Sequence, residues 1–187
     1  MTVATPPGLV PESSTIHGCL VGCGDAKADE ARPAAELYTS QYFQKKRAFA
    51  EKLVPQYWIL SAEHGVVDPA TEIEPYDTRV GGNDFDRQAF LSTVADDMAS
   101  LTDDDRDPTR LIVLTGEDYL TALIDALARA DTGPGEIKLV TPFRHGSFEG
   151  IGDQMSYLNA ALEAGDQTLP VADALDHSPD HHQVTLG

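Results

Sequence analysis

Four short apolar runs, at 16–21, 57–60, 111–114 and 137–140, alternate with stretches of helical spacing along this chain. Strands that alternate with helices build βαβ units and a parallel sheet. The runs lack strict apolar–polar alternation, which fits strands buried on both faces. Between the first two, Tyr42, Phe43, Phe49, Ala50 and Leu53 fall at helical spacing, with Ser40 as N-cap and Pro55 as stop. The stretch 84–101 carries Phe85, Phe90, Leu91, Val94, Met98 and Leu101 on one helical face. Further helices are expected at 117–130, closed by Thr132-Gly133-Pro134-Gly135, and at 151–164. Polar, Pro-containing 25–33 reads as a loop and 103–108 as an acidic linker. The connection at 61–83 is long, and such loops are functional or partly structured. The expected fold class is α/β: a single three-layer domain over 15–168, with a mostly parallel sheet of about four or five strands. A flexible lead (1–14) and an acidic, His/Asp-rich tail (169–187) flank it.

Thirteen Lys and Arg stand against 31 Asp and Glu, for a net charge of −18. One reading is a surface that repels nucleic acid and anionic membranes. The other, favoured because the acids are scattered through every segment, is a haloadapted surface. At molar salt the Debye length is only about 3 Å, so net charge then says little about a nucleic-acid partner. No apolar stretch approaches the roughly 20 residues of a membrane span. No basic region followed by an apolar core marks the start, so a cytoplasmic protein is expected. Without a secretory context, Cys19 and Cys23 read as thiols rather than a disulfide.

Each apolar run ends in residues that carry chemistry. The four ends are Gly22-Cys23-Gly24-Asp25-Ala26-Lys27, Ser61-Ala62-Glu63-His64-Gly65, Thr115-Gly116-Glu117-Asp118-Tyr119 and Thr141-Pro142-Phe143-Arg144-His145-Gly146. Parallel strands gather such ends on one edge, where ligands bind in open α/β sheets; turns also need small polar caps there. Gly22-Cys23-Gly24 is a tight turn or an anion cradle, without a dinucleotide or P-loop pattern. Cys19 and Cys23 share a strand face, and only Cys23 reaches the end: Cys19 reads as a structural thiol, Cys23 as a candidate nucleophile or ligand contact. Lys27 sits in a loop, as a nucleophile or Schiff-base former, a phosphate contact, or an ordinary surface lysine. His64, beside Glu63, is a general acid or base, or a cap. Tyr76 stacks on a planar ring or plugs the core under the long loop. Arg144 grips phosphate or carboxylate, or makes a surface ion pair. Ser61, Thr115 and Tyr119 complete the candidate ligand contacts. No metal site is expected, because His64 and His145 lack zinc-motif pairing with the cysteines.

Five blocks in order resemble the YaaA peroxide-stress family and its small uncharacterised relatives in archaea and phages. Leu20-Val21-Gly22-Cys23-Gly24-Asp25-Ala26-Lys27-Ala28-Asp29 is similar to the relatives' opening strand and C-x-K-x-K-x-D turn, with Asp25 in place of the first lysine. Ala34-Ala35-Glu36-Leu37-Tyr38-Thr39-Ser40-Gln41-Tyr42-Phe43 resembles A-x-x-L-Y-T-S-x-x-F. The stretch from Leu60 to Tyr76 resembles an LSG-x-Y-G-x-L-x-P block ending in x-P-Y. Leu114-Thr115-Gly116-Glu117-Asp118-Tyr119 resembles a strand end before a helix, and Gly150-Ile151-Gly152-Asp153-Gln154-Met155 a closing G-I-G turn. The larger family members' helix-hairpin-helix element is not found here, so DNA binding carries over only weakly. The resemblance implies a nucleobase, nucleoside or nucleic-acid partner, with no cofactor. It implies an enzyme on a modified or damaged base that breaks or exchanges an N-glycosidic bond. In that reading Lys27, His64 and Glu63 are catalytic. Tyr76 stacks the base, Tyr38 and Thr39 wall the pocket, and Arg144 holds phosphate. The alternative is a non-catalytic nucleotide-binding module or a DNA-associated stress protein.

Overall fold

The computed structural model describes residues 16–101, 109–130, 137–145 and 148–165. The expected lead, the tail with His177, His181 and His182, the 103–108 linker and the 132–135 turn lie outside the described residues.

The chain opens with β1 (Gly18–Gly22), β2 (Arg32–Pro33), α1 (Ala34–Leu37), α2 (Gln41–Leu53) and β3 (Tyr57–Ser61). Then come β4 (Gly65–Val67), β5 (Glu72–Ile73), α3 (Arg87–Ser100), β6 (Thr109–Leu114) and α4 (Glu117–Leu127). The last elements are β7 (Ile137–Val140), α5 (Pro142–His145) and α6 (Ile151–Ala164). The fold is mixed α/β, with a five-stranded, mostly parallel sheet in the order β4-β3-β1-β6-β7. β1 lies at its centre, parallel to β3 and β6, and β7 runs parallel to β6. Only β4 is antiparallel.

The side-chain period of two divides the strand residues between two clusters. Cys19, Val21, Ile59, Ile112 and Leu114 bury with Phe43, Phe49 and Leu158 from α2 and α6. Leu20, Leu60, Leu111 and Val113 bury with Phe90, Val94, Leu120 and Leu123 from α3 and α4. Each fully buried aliphatic side chain is worth roughly 1.5–3 kcal/mol, which explains why β1 carries no exposed residue.

Helix starts follow their caps. Ser40 accepts a hydrogen bond from the Phe43 amide, and Asp86 accepts one from the Ala89 amide. The third helix therefore begins at Arg87, later than apolar spacing alone suggested. The 61–83 connection is partly structured. Gly65 turns β3 into β4 at φ +71°, and a Cβ there would lie 2.5 Å from Asp97 Oδ2. Asp97 instead accepts the Val66 amide at 2.8 Å. β5 pairs with β2 in a separate two-stranded sheet, so the 25–33 loop and the long connection are tied together.

Candidate functional site

The chain leaves β1 toward β3 on one side and leaves β6 toward β7 on the other. β1 and β6 thus form a topological switch point, where loops diverge and open a crevice at the carboxyl edge. Gly22 ends β1 there. A Cβ on it would sit 2.9 Å from Thr115 Cγ2, so close approach of the two strand ends requires glycine. That contact accounts for a glycine at this position.

Cys23 follows at the mouth. Its amide donates to the Leu60 carbonyl at 3.0 Å, and its Sγ lies 3.1 Å from the Tyr119 hydroxyl. Beyond it the chain doubles back against 37–39: Ala28 N–H bonds the Leu37 carbonyl at 2.8 Å and Thr39 N–H the Ala26 carbonyl at 2.9 Å. Lys27 is thereby paired with Tyr38. Its Nζ lies 4.3 Å from the Tyr76 ring centroid and 5.8 Å from that of Tyr38, with a long 3.4 Å hydrogen bond to the Asp25 carbonyl.

Tyr76 is the hub. The β2–β5 pairing, with Ala34 N–H on the Thr71 carbonyl, holds the segment before it in place. Its hydroxyl is 2.7 Å from that of Tyr38 and accepts from Ser61 Oγ at 2.8 Å. Ser61 Oγ itself accepts the Glu63 and His64 amides at 3.2 and 3.1 Å, closing the turn. The Ser61 hydroxyl is therefore fully engaged. Both Glu63 and His64 are exposed, and the His64 ring meets Tyr76 edge-on at 5.2 Å between centroids. Burial pushes the hydroxyls of Tyr38, Tyr76 and Tyr119 up, and the neighbouring Cys23 adds to this in all three.

Beneath this network lies Lys46, which sequence reasoning passed over. It is 2% exposed. Its Nζ donates to the Gly22 carbonyl at 2.7 Å and lies 4.6 Å from the Tyr42 ring centroid. No carboxylate pairs with it among the described residues. Burial pushes its ammonium down to about 8, and the neighbouring Cys23 and then Cys19 offset part of that. The signal was available: Lys46 is four residues after Tyr42 and three before Phe49, on the apolar stripe of α2.

A second hollow, of about 120 Å³, opens between the ends of β6 and β7. Thr115, Gly116, Glu117, Thr141, Arg144 and Gln154 line it. Thr115 Oγ1 is buried and has no hydrogen-bond partner among the described residues. Arg144 is half exposed and holds Glu117 at 3.7 Å. The Tyr42 hydroxyl bonds Gln154, which joins this hollow to α2. Drug-sized ligand pockets run about 300–1,000 Å³, so this space suits one ring or one phosphate group. Larger hollows, of about 390 and 430 Å³, are lined by other residues, away from the network at the switch point.

The sequence candidates thus divide. Lys27, Tyr38, Ser61, His64 and Tyr76 form one network, Cys23 and Tyr119 a separate pair, and Thr115 and Arg144 line the neighbouring hollow. Thr39 and Glu63 are exposed, with no side-chain hydrogen bond or ion pair among the described residues. Among the described residues no helix is long and apolar enough to cross a membrane.

Fold and site together define an α/β protein with a tyrosine–lysine network and a thiol–tyrosine pair at the strand ends of its sheet. The chain belongs to a family of unknown function, DUF6884, whose model matches residues 19–160. No curated protein matches it.

Proposed function

We propose that this protein is a cytoplasmic enzyme acting on a modified or damaged nucleobase, its nucleoside or its nucleic-acid form, by cleavage or exchange of the N-glycosidic bond. The observation that carries this reading is the Lys27 ammonium held against the Tyr76 ring, with His64 at the ring's edge. A planar base has an aromatic face and a cation to meet there, and a phosphate or second ring has the hollow beside Thr115 and Arg144. The relation to the YaaA family is part of the proposal and rests on the five sequence blocks. So is a three-layer arrangement, supported by the division of strand residues between two clusters.

In this reading Lys27 first gives up a proton, and its amine then attacks the anomeric carbon as the glycosidic bond breaks. The bonding pair leaves with the base, and His64 or Glu63 returns a proton to it. Acid–base help of this kind typically supplies about 10²–10⁴-fold. Borohydride trapping with damaged-base DNA tests the lysine step. An adduct on Lys27 is expected; no adduct, with activity intact in Lys27→Ala, overturns it.

The exposure of Glu63 and His64 favours a second reading, a nucleoside-binding module without chemistry. Thermal-shift screening against nucleobases, nucleosides and nucleotides, followed by product analysis, separates the two. A stabilising ligand recovered unchanged supports binding alone.

A further inference from the structure

The hollow between the ends of β6 and β7 contains a side chain that the fold leaves unsatisfied. Thr115 is 5% exposed, and its buried Oγ1 has no hydrogen-bond partner among the described residues. A buried hydroxyl without a partner is costly, and native folds carry few of them. Its methyl faces Gly22, where an added Cβ would lie 2.9 Å from Cγ2, which leaves the hydroxyl for the hollow that Thr115 lines. The next residue, Gly116, is the N-cap of α4, a helix of 11 residues. No side chain caps it, so no side-chain oxygen answers the first-turn amides. A Cβ on Gly116 would meet nothing within 4 Å, so the approach to those amides is open. The helix dipole favours negative charge at this end. From the β7 side, Arg144 brings a guanidinium into the same lining, with Glu117 at a long 3.7 Å. Gln154 spends its oxygen on the Tyr42 hydroxyl, which leaves its NH2 group as a further donor. Hydroxyl, amides, guanidinium and carboxamide are all donors; one tetrahedral oxyanion meets several of them, and an uncharged ring does not.

We propose that this hollow is a phosphate site, in which the Thr115 hydroxyl and the first amides of α4 hold the oxyanion and Arg144 leaves Glu117 to pair with it. The carboxylates of Glu117 and Asp118, both in the first turn of α4, stand against an anion here. Both residues are exposed, so Glu117 can turn to water once phosphate takes the guanidinium, and Glu117 acts as the competitor that keeps Arg144 in place until then. The inference rests on the reading above only in taking the hollow as the phosphate end of the ligand. Inorganic phosphate, which carries no base, tests it apart from the nucleobase.

Calorimetric titration of the full chain at constant ionic strength tests it, with inorganic phosphate, a nucleoside 5′-monophosphate and the nucleoside as separate arms. Saturable single-site binding of phosphate or of the monophosphate is expected. Arg144→Gln should weaken it about tenfold, the size of one lost charge-assisted hydrogen bond. Thr115→Val should weaken it about fivefold without lowering the melting temperature, since the hydroxyl has no partner in the fold to lose. Glu117→Gln removes the competing carboxylate and should tighten it about threefold. Monophosphate bound more tightly than phosphate identifies a nucleotide as the source, and equal affinities identify free phosphate; either supports the site. Absence of binding by both overturns the proposal, as does binding that Arg144→Gln and Thr115→Val both leave unchanged. Nucleoside bound as tightly as monophosphate, and unmoved by Arg144→Gln, overturns the site and leaves the nucleobase reading. Phosphate binding that a base does nothing to improve has the opposite effect.

Discussion

Tyr76→Phe removes one oxygen and two hydrogen bonds, those to Tyr38 at 2.7 Å and from Ser61 at 2.8 Å. Both partners are buried, with Tyr38 and Ser61 each 0% exposed. Ser61 keeps the two amides it accepts but loses the acceptor for its own proton. Leaving a buried polar group unsatisfied costs about 1–3 kcal/mol. Tyr76 is only half-buried, so water reaches part of the gap and lowers the sum. The expected cost is about 2–4 kcal/mol. Tyr38→Phe breaks only one of the two bonds, and Tyr76 keeps Ser61, so about 1 kcal/mol is expected. In the double variant the stranded Tyr38 hydroxyl is gone. Its cost should fall short of the sum of the singles by about 1–2 kcal/mol. Urea unfolding, followed through the single tryptophan Trp58, measures all three by linear extrapolation. A Tyr76→Phe protein within about 0.5 kcal/mol of wild type, or singles that add, refutes the shared network.

Four further outcomes follow. Gly65→Ala should lose about 2 kcal/mol or more in the same assay, because φ is +71° and the new methyl meets Asp97 and Thr93 at 2.5 and 2.8 Å; a neutral result would count against the β3–β4 turn. Lys46, lowered in the fold to about 8 from 10.5, binds fewer protons folded than unfolded between those values, so its destabilisation is full below pH 8 and is relieved as pH rises. Stability of wild type minus Lys46→Met should therefore climb by on the order of 3 kcal/mol from about pH 7.5 to 10.5, and a flat difference would contradict it. His64→Gln should leave melting unchanged, since the ring makes only an edge contact, while turnover falls about 100-fold or more; full activity would remove His64 from the chemistry. If the surface is haloadapted, far-UV circular dichroism should show folding gained between low and molar KCl, and a melting temperature independent of salt would refute that reading.

The parallel strands and long helices were legible because each is fixed by its own neighbourhood. Ile137–Val140 and Ile151–Ala164 fall where periodicity placed them, and Ser40 and Pro55 bound α2 as cap and stop. The short pieces were not. Two-residue strands such as Arg32–Pro33 and Glu72–Ile73 carry no period, and exist because each pairs with the other from a distant part of the chain. β4 is three residues behind a turn that needs a positive φ, and Gly65 alone signals it. The helices Ala34–Leu37 and Pro142–His145 are single turns, too short for spacing to declare them.

The site divides along the same line. Residues at strand ends were found because parallel strands must deliver them to one edge, whatever the loops do. Lys46 escaped because a lysine inside an apolar stripe normally reads as a snorkelling side chain with its charge in water. What keeps it inward is the Gly22 carbonyl, a partner 24 positions earlier in the chain. The same long-range closure changes what Ser61 and Tyr76 can do. Read as free groups, a hydroxyl and a stacking ring offer themselves to a ligand. In the fold their oxygens satisfy each other and Tyr38, so they form a rigid wall and not reacting atoms. The groups left with unspent capacity at this edge include Cys23, Lys27 and His64, with the unpartnered Thr115 hydroxyl in the hollow beside them.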